Sequence, residues 1–157
     1  MVTYIEQGNI FDLQGITNYA HGCNCAGAMG KGIALQFKDK FPKMYHEYKK
    51  LCKGGQLSLG DVFTYDCGNG LVFNLGTQAT WKAKADINAI ENALIKMLSY
   101  ASQNNILKIA MPKIGAGLGG LNWNDVKSII DKVAKDYPNI DLFVIENYKE
   151  IQQQTPS

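Results

Sequence analysis

Apolar residues along this chain switch repeatedly between a two-residue period and a period near 3.6, and that alternation restricts the possible folds more than any other feature. Strand-like runs are expected at residues 2–6, 16–20, 62–65, 71–75, 106–111 and 142–145. Between them lie helical patterns. Ile33, Phe37 and Phe41 fall four apart after Gly30-Lys31-Gly32, and Pro42 ends that helix and starts the next at its first position. Asp86 caps a third helix whose Ile87, Ile90, Leu94, Met97, Leu98 and Ala101 form an apolar stripe. Asn122 caps a fourth, with Val126, Ile129, Ile130 and Val133 facing inward. Cys67-Gly68-Asn69-Gly70 fits the turn of an antiparallel hairpin. The expected fold is therefore α/β: a three-layer α/β/α sandwich around a mixed, mostly parallel sheet. Ligands of such sheets bind at the carboxyl ends of the strands.

At 157 residues and 46% hydrophobic, the chain suits one compact domain, expected over residues 1–150, with a polar tail at 151–157. No run approaches the roughly 20 apolar residues of a membrane span, and Met-Val-Thr-Tyr-Ile-Glu is unlike a signal peptide. A cytoplasmic protein without a membrane partner is expected. The net charge of +2 does not require nucleic acid as an obligatory partner, although it leaves room for a local basic patch. Cys23 and Cys25 form C-x-C without a second ligand pair, so no metal site is expected and the four cysteines are read as reduced thiols.

Eight of the 16 glycines occupy two short stretches, Gly22, Gly27, Gly30 and Gly32 in one and Gly115, Gly117, Gly119 and Gly120 in the other. Each stretch follows a strand and precedes a helix. Both should rim one crevice, presenting backbone N–H groups to an anion, phosphate above all. Neither the dinucleotide fingerprint nor the Walker pattern is met.

Several strings resemble the macro domain family, whose members bind ADP-ribose and related nucleotides. Gln7-Gly8-Asn9-Ile10 is similar to the opening Gly-Asp-Ile element of that family. His21-Gly22-Cys23-Asn24 takes the place of its Asn-Ala-Ala-Asn segment, Gly30-Lys31-Gly32-Ile33-Ala34 that of the first ligand loop, and Met111-Pro112-Lys113-Ile114-Gly115-Ala116-Gly117-Leu118 that of the second. The resemblance runs from Tyr4 to about Ile145. It implies a small-molecule ligand, ADP-ribose or a derivative, with an ADP-ribosylated macromolecule as a further partner and no cofactor. By position it implies binding roles for Asn9, Ile10, Gly30, Lys31, Gly32, Ile33, Thr77, Ile114, Gly115, Ala116, Gly117 and Leu118. Asn9 replaces an Asp that accepts from the adenine amino group. Its amide can also accept, but it adds an NH2 that needs a partner.

Relatives that remove ADP-ribose from acidic residues or DNA bases use a lysine and often an acid where this chain has Gln78 and Gly119. Another branch, resembling the yeast-type ADP-ribose 1″-phosphate phosphatase, shares the Gly-Asn-Ile opening and the His-x-Cys-Asn-Cys loop. His21 is then the candidate catalytic residue for phosphate-directed proton transfer, whereas Asn24, with an ordered water in place of the lysine, is the candidate for removing ADP-ribose from a macromolecule. Phosphate release from ADP-ribose 1″-phosphate is the leading expectation. A non-catalytic ADP-ribose reader is the alternative, and removal of ADP-ribose from protein or nucleic acid is the third reading. Trp81 and Phe11 are candidates to stack on the adenine or the distal ribose, with core packing the competing role for Phe11.

Overall fold

The computed structural model describes residues 1–149, and the tail expected at 151–157 lies outside the described residues. Six strands form one sheet: β1 (Val2–Ile5), β2 (Tyr19–Asn24), β3 (Val62–Asp66), β4 (Leu71–Gln78), β5 (Lys108–Pro112) and β6 (Asp141–Ile145). Their order is β1-β6-β5-β2-β4-β3. All neighbours run parallel except β3 and β4, the hairpin expected from Cys67-Gly68-Asn69-Gly70.

Four helices cover the sheet: α1 (Gly32–Lys40), α2 (Pro42–Lys53), α3 (Ile87–Gln103) and α4 (Trp123–Ala134). Two separate buried clusters show which helix covers which face. Ile90, Leu94, Met97 and Leu98 of α3 and Val126 and Ile130 of α4 pack with Phe73, Leu75, Ile109 and Val144. Phe37 of α1 and Met44 and Tyr48 of α2 pack with Tyr19, Cys23, Val72 and Ala110 on the other face. Alternate strand residues thus face opposite helix layers, as a sheet buried on both sides requires. Asp86 and Asn122 cap α3 and α4, accepting from the N–H groups of Ala89 and Asn124. No helix among the described residues is long and apolar enough to cross a membrane.

The second strand corrects the sequence reading. It begins three residues later than expected and runs on to Asn24, because Gly15 adopts φ +78° and the Ile16 N–H closes a turn onto Leu13. β4 likewise extends past Leu75 to Gln78. Both strands carry buried polar residues, His21 and Asn24 in β2 and Asn74 and Thr77 in β4, which interrupt the apolar pattern that marks a strand in sequence.

Candidate functional site

The carboxyl ends of β2, β4 and β5 open into a cleft of about 640 Å³. The segment after β2 forms one wall and the segment after β5 the other, with Gln78 and Trp81 beyond β4 on the rim. At the base, a Cβ on Gly22 would sit 2.9 Å from Thr77 Oγ1 and 3.3 Å from Ile114 Cγ2, so a side chain there would push into the floor. Lys31 and Lys113 line the cleft, and among the described residues no Asp or Glu does.

Asn24 builds the first wall. Its Oδ1 accepts from the N–H groups of Ala26 and Ala28 at 3.0 and 3.2 Å, and its Nδ2 donates to the Ala28 carbonyl at 2.7 Å. The Tyr48 hydroxyl donates to the Asn24 carbonyl at 2.5 Å, tying the loop to α2. This ring of bonds turns the chain toward α1, which begins with no side-chain cap at Lys31. The first amides of α1 therefore keep their hydrogens for an external acceptor, and the helix dipole adds partial positive charge there.

The second wall is closed by the Leu121 N–H on the Gly115 carbonyl (2.9 Å) and the Gly120 N–H on Gly117 (3.3 Å). Neither bond uses the amides of Gly115 to Leu118. Gly115 has φ +75°, and a Cβ there would lie 2.5 Å from Ile90 Cδ1. At Gly119 a Cβ would lie 2.6 Å from the Gly115 carbonyl oxygen and 2.9 Å from Ala85 Cβ, so this loop has no space for a larger side chain at that position. The exposed Leu118 side chain reaches across toward Gly32, where an added Cβ would be 3.2 Å from its Cδ1. The two walls nearly meet there.

Of the residues expected to bind ligand or catalyse, Asn24, Gly30, Lys31, Gly32, Ile33, Thr77, Ile114, Gly115, Gly117 and Leu118 line this cleft. Ala116 belongs to the second wall without lining it. Asn9 and Ile10 stand outside. Asn9 caps the 3-10 turn Ile10–Asp12 by accepting from the Phe11 N–H at 2.9 Å, and Ile10 is fully buried in the core. Phe11 packs edge-on against Tyr19 and Phe37, the core role weighed for it in sequence.

The catalytic role expected of His21 is withdrawn. The ring is fully buried in the middle of β2, stacked on Phe37 at 4.1 Å and 6°, and it does not line the cleft. Its Nε2 lies 2.6 Å from Asn74 Oδ1, an atom that only accepts, so Nε2 carries the proton and donates. Asn74 Nδ2 in turn donates to the Phe63 carbonyl at 3.1 Å. Burial holds the imidazole neutral and pulls its pKa down to about 4, with the Asn74 bond opposing. The group is a packed core histidine rather than a proton carrier for a ligand.

Gln78 lines the cleft and spends its Nε2 donating to the Ala83 carbonyl at 2.7 Å, which ties the rim segment down. Lys82 and Lys84 are exposed and do not line the cleft. Burial raises the Cys23 thiol well above its ordinary pKa and pushes Cys25 up to about 11, so neither is a thiolate near neutral pH. Among the described residues no group of three or more His, Cys, Asp or Glu side chains is placed to hold a metal ion. Sequence reasoning left Gly22, Met29 and Lys113 out of the binding set. Gly22 and Lys113 lie inside the two motifs, so the motif positions themselves were the available signal.

The family model described as "Macro domain" matches residues 20–130. The chain is 34% identical over 150 residues to the DNA ADP-ribosyl glycohydrolase of Mycobacterium tuberculosis, covering 92% of this chain and 42% of that protein. This chain therefore spans less than half the length of that relative. It is 28% identical over 139 residues to the ADP-ribose 1″-phosphate phosphatase of Lodderomyces elongisporus, covering 81% of this chain and 86% of that protein. Among solved structures, the macrodomain of Mycobacterium tuberculosis DarG superposes with a TM-score of 0.86 at 32% identity, over 96% of this chain and 99% of that one.

Proposed function

This chain belongs to the macro domain family, and on that premise we propose that it binds ADP-ribose in the cleft and removes it from a modified nucleic acid. The supporting observation is one cleft walled by both glycine segments, in a chain similar over 92% of its length to a protein named a DNA ADP-ribosyl glycohydrolase. A diphosphate needs many donors and little competing negative charge. The uncapped first turn of α1 and the Gly115–Leu118 amides supply the donors, and among the described residues no carboxylate lines the cleft. Hydrolysis breaks the bond between the anomeric carbon and the acceptor. A water oxygen forms the new bond to that carbon, and the departing acceptor takes up the proton.

This reading replaces phosphate release as the leading activity. The phosphatase expectation rested on His21 and Asn9 in a frame without the lysine, and of these His21 is packed against Phe37 and Asn74 while Asn9 caps the 3-10 turn Ile10–Asp12. What the cleft offers is a fixed set of dipoles around the sugar and diphosphate, so its contribution is positioning and stabilisation of developing charge. Gln78 and Gly119, in place of a lysine and an acid, favour a second reading, a binding module that holds ADP-ribose without turnover.

Titration calorimetry with ADP-ribose, run beside turnover assays on an ADP-ribosylated oligonucleotide and on ADP-ribose 1″-phosphate, separates these readings. The proposal expects binding together with release of ADP-ribose from the oligonucleotide. Binding with neither product supports the module, inorganic phosphate as the sole product restores the phosphatase, and absence of binding rejects the cleft as an ADP-ribose site.

A further inference from the structure

The net charge of +2 conceals a strong segregation. Between residues 31 and 53 there are seven lysines against only Asp39 and Glu47, and Lys82 and Lys84 sit in a segment with no acid before Asp86. The rest of the chain holds seven lysines against twelve acidic residues. The first of these groups lies on one layer of the sandwich, α1 and α2, and its start forms a wall of the cleft. Lys40, Lys43, Lys49, Lys50 and Lys53 are all exposed there.

At the mouth of the cleft stands Trp81, 59% exposed, an unusual placement for so large an apolar ring. Lys82 Nζ, from the same rim segment, lies 5.0 Å from the ring centroid and Lys31 Nζ, from the first wall of the cleft, 5.9 Å. Farther along the same layer, Tyr45 receives Lys38 at 4.6 Å and Lys49 at 5.5 Å. Aromatic faces interleaved with cations are what an unpaired nucleic-acid strand needs. Bases stack on the rings and the ammonium groups neutralise phosphates, whereas a paired base has no free face to offer.

We propose that Trp81 and the lysine face of α1 and α2 form the track for a single strand of nucleic acid, with one base stacked on Trp81 beside the ADP-ribosyl group in the cleft. This rests on the cleft being an ADP-ribosyl site. It adds the surface that selects the acceptor. The linkage to be cut lies at the mouth, so the chain flanking the modified nucleotide must leave across the rim, and the basic layer begins there.

The test is fluorescence anisotropy with an unmodified, labelled single-stranded oligonucleotide and its duplex, over a salt series, with ADP-ribose binding measured separately by calorimetry. Wild-type protein should bind the single strand more tightly than the duplex. Trp81→Ala should weaken the single strand about tenfold, in line with the stacking of one base, and Trp81→Phe should restore most of it. Replacing both Lys49 and Lys53 by Gln should lower the slope of log affinity against log salt by about 1.4, at roughly 0.7 per phosphate contact. ADP-ribose affinity should not change in that double variant. Equal binding of duplex and single strand, or no effect of either set of substitutions while ADP-ribose still binds, overturns the track alone. Failure of ADP-ribose to bind the wild type overturns the track and the cleft reading together.

Discussion

A histidine inside a loop motif invites a catalytic role, and His21 shows how burial decides against one. Its folded pKa lies near 4, below the ordinary value of 6.5, so between those pH values the unfolded chain binds a proton that the folded chain refuses. Stability from this group is fully present above pH 6.5 and is lost as pH falls toward 4, amounting to about 3 kcal/mol across that window. Thermal denaturation from pH 7 to pH 4 should show that slope. His21→Gln should flatten it while leaving ADP-ribose affinity within about threefold of wild type, and a large loss of affinity would return His21 to the site. Asn24 is the opposite case, a cleft residue whose amide is engaged in holding its own loop. Asn24→Ala should cost about 1–3 kcal/mol of stability through the unpaired buried groups it leaves and weaken ADP-ribose by at least tenfold in calorimetry.

At the scale of elements, the second glycine segment is a closely packed clasp, closed by the bonds of Leu121 to Gly115 and of Gly120 to Gly117. Gly115→Ala meets both a left-handed φ and the Ile90 side chain and should cost about 1–3 kcal/mol. Gly119→Glu should be worse for binding, because its Cβ presses on the Gly115 carbonyl and so on the bond that Leu121 makes to it. Chemical denaturation paired with calorimetry reads both effects. The helices were legible in the sequence because caps and apolar stripes are local signals, as at Asp86, Asn122 and Pro42. β2 and β4 were less so. Strands covered on both faces lose the alternation that marks an edge strand, and the bonds from His21 to Asn74 and from Thr77 to Cys23 join residues more than 50 positions apart. The glycine motifs placed the two walls of the cleft correctly. Asn9 and Ile10 fell outside it because motif order alone does not say which way a short turn faces.

The whole molecule is an asymmetric sandwich, with a basic layer of α1 and α2 and an acidic balance elsewhere, and the cleft opens between the segments that lead into α1 and α4. A sum over the sequence hides that division, since the charges cancel in number while the fold keeps them apart. The central claim is that the uncapped amides of the two walls hold the diphosphate of ADP-ribose. An amide-resolved NMR titration with ADP-ribose tests it most directly. The largest shifts should fall on Gly32, Ile33 and the Gly115–Leu118 amides, saturating together at one ligand per chain. Shifts confined to other surfaces, or none in these two segments at saturating ligand, would contradict the account.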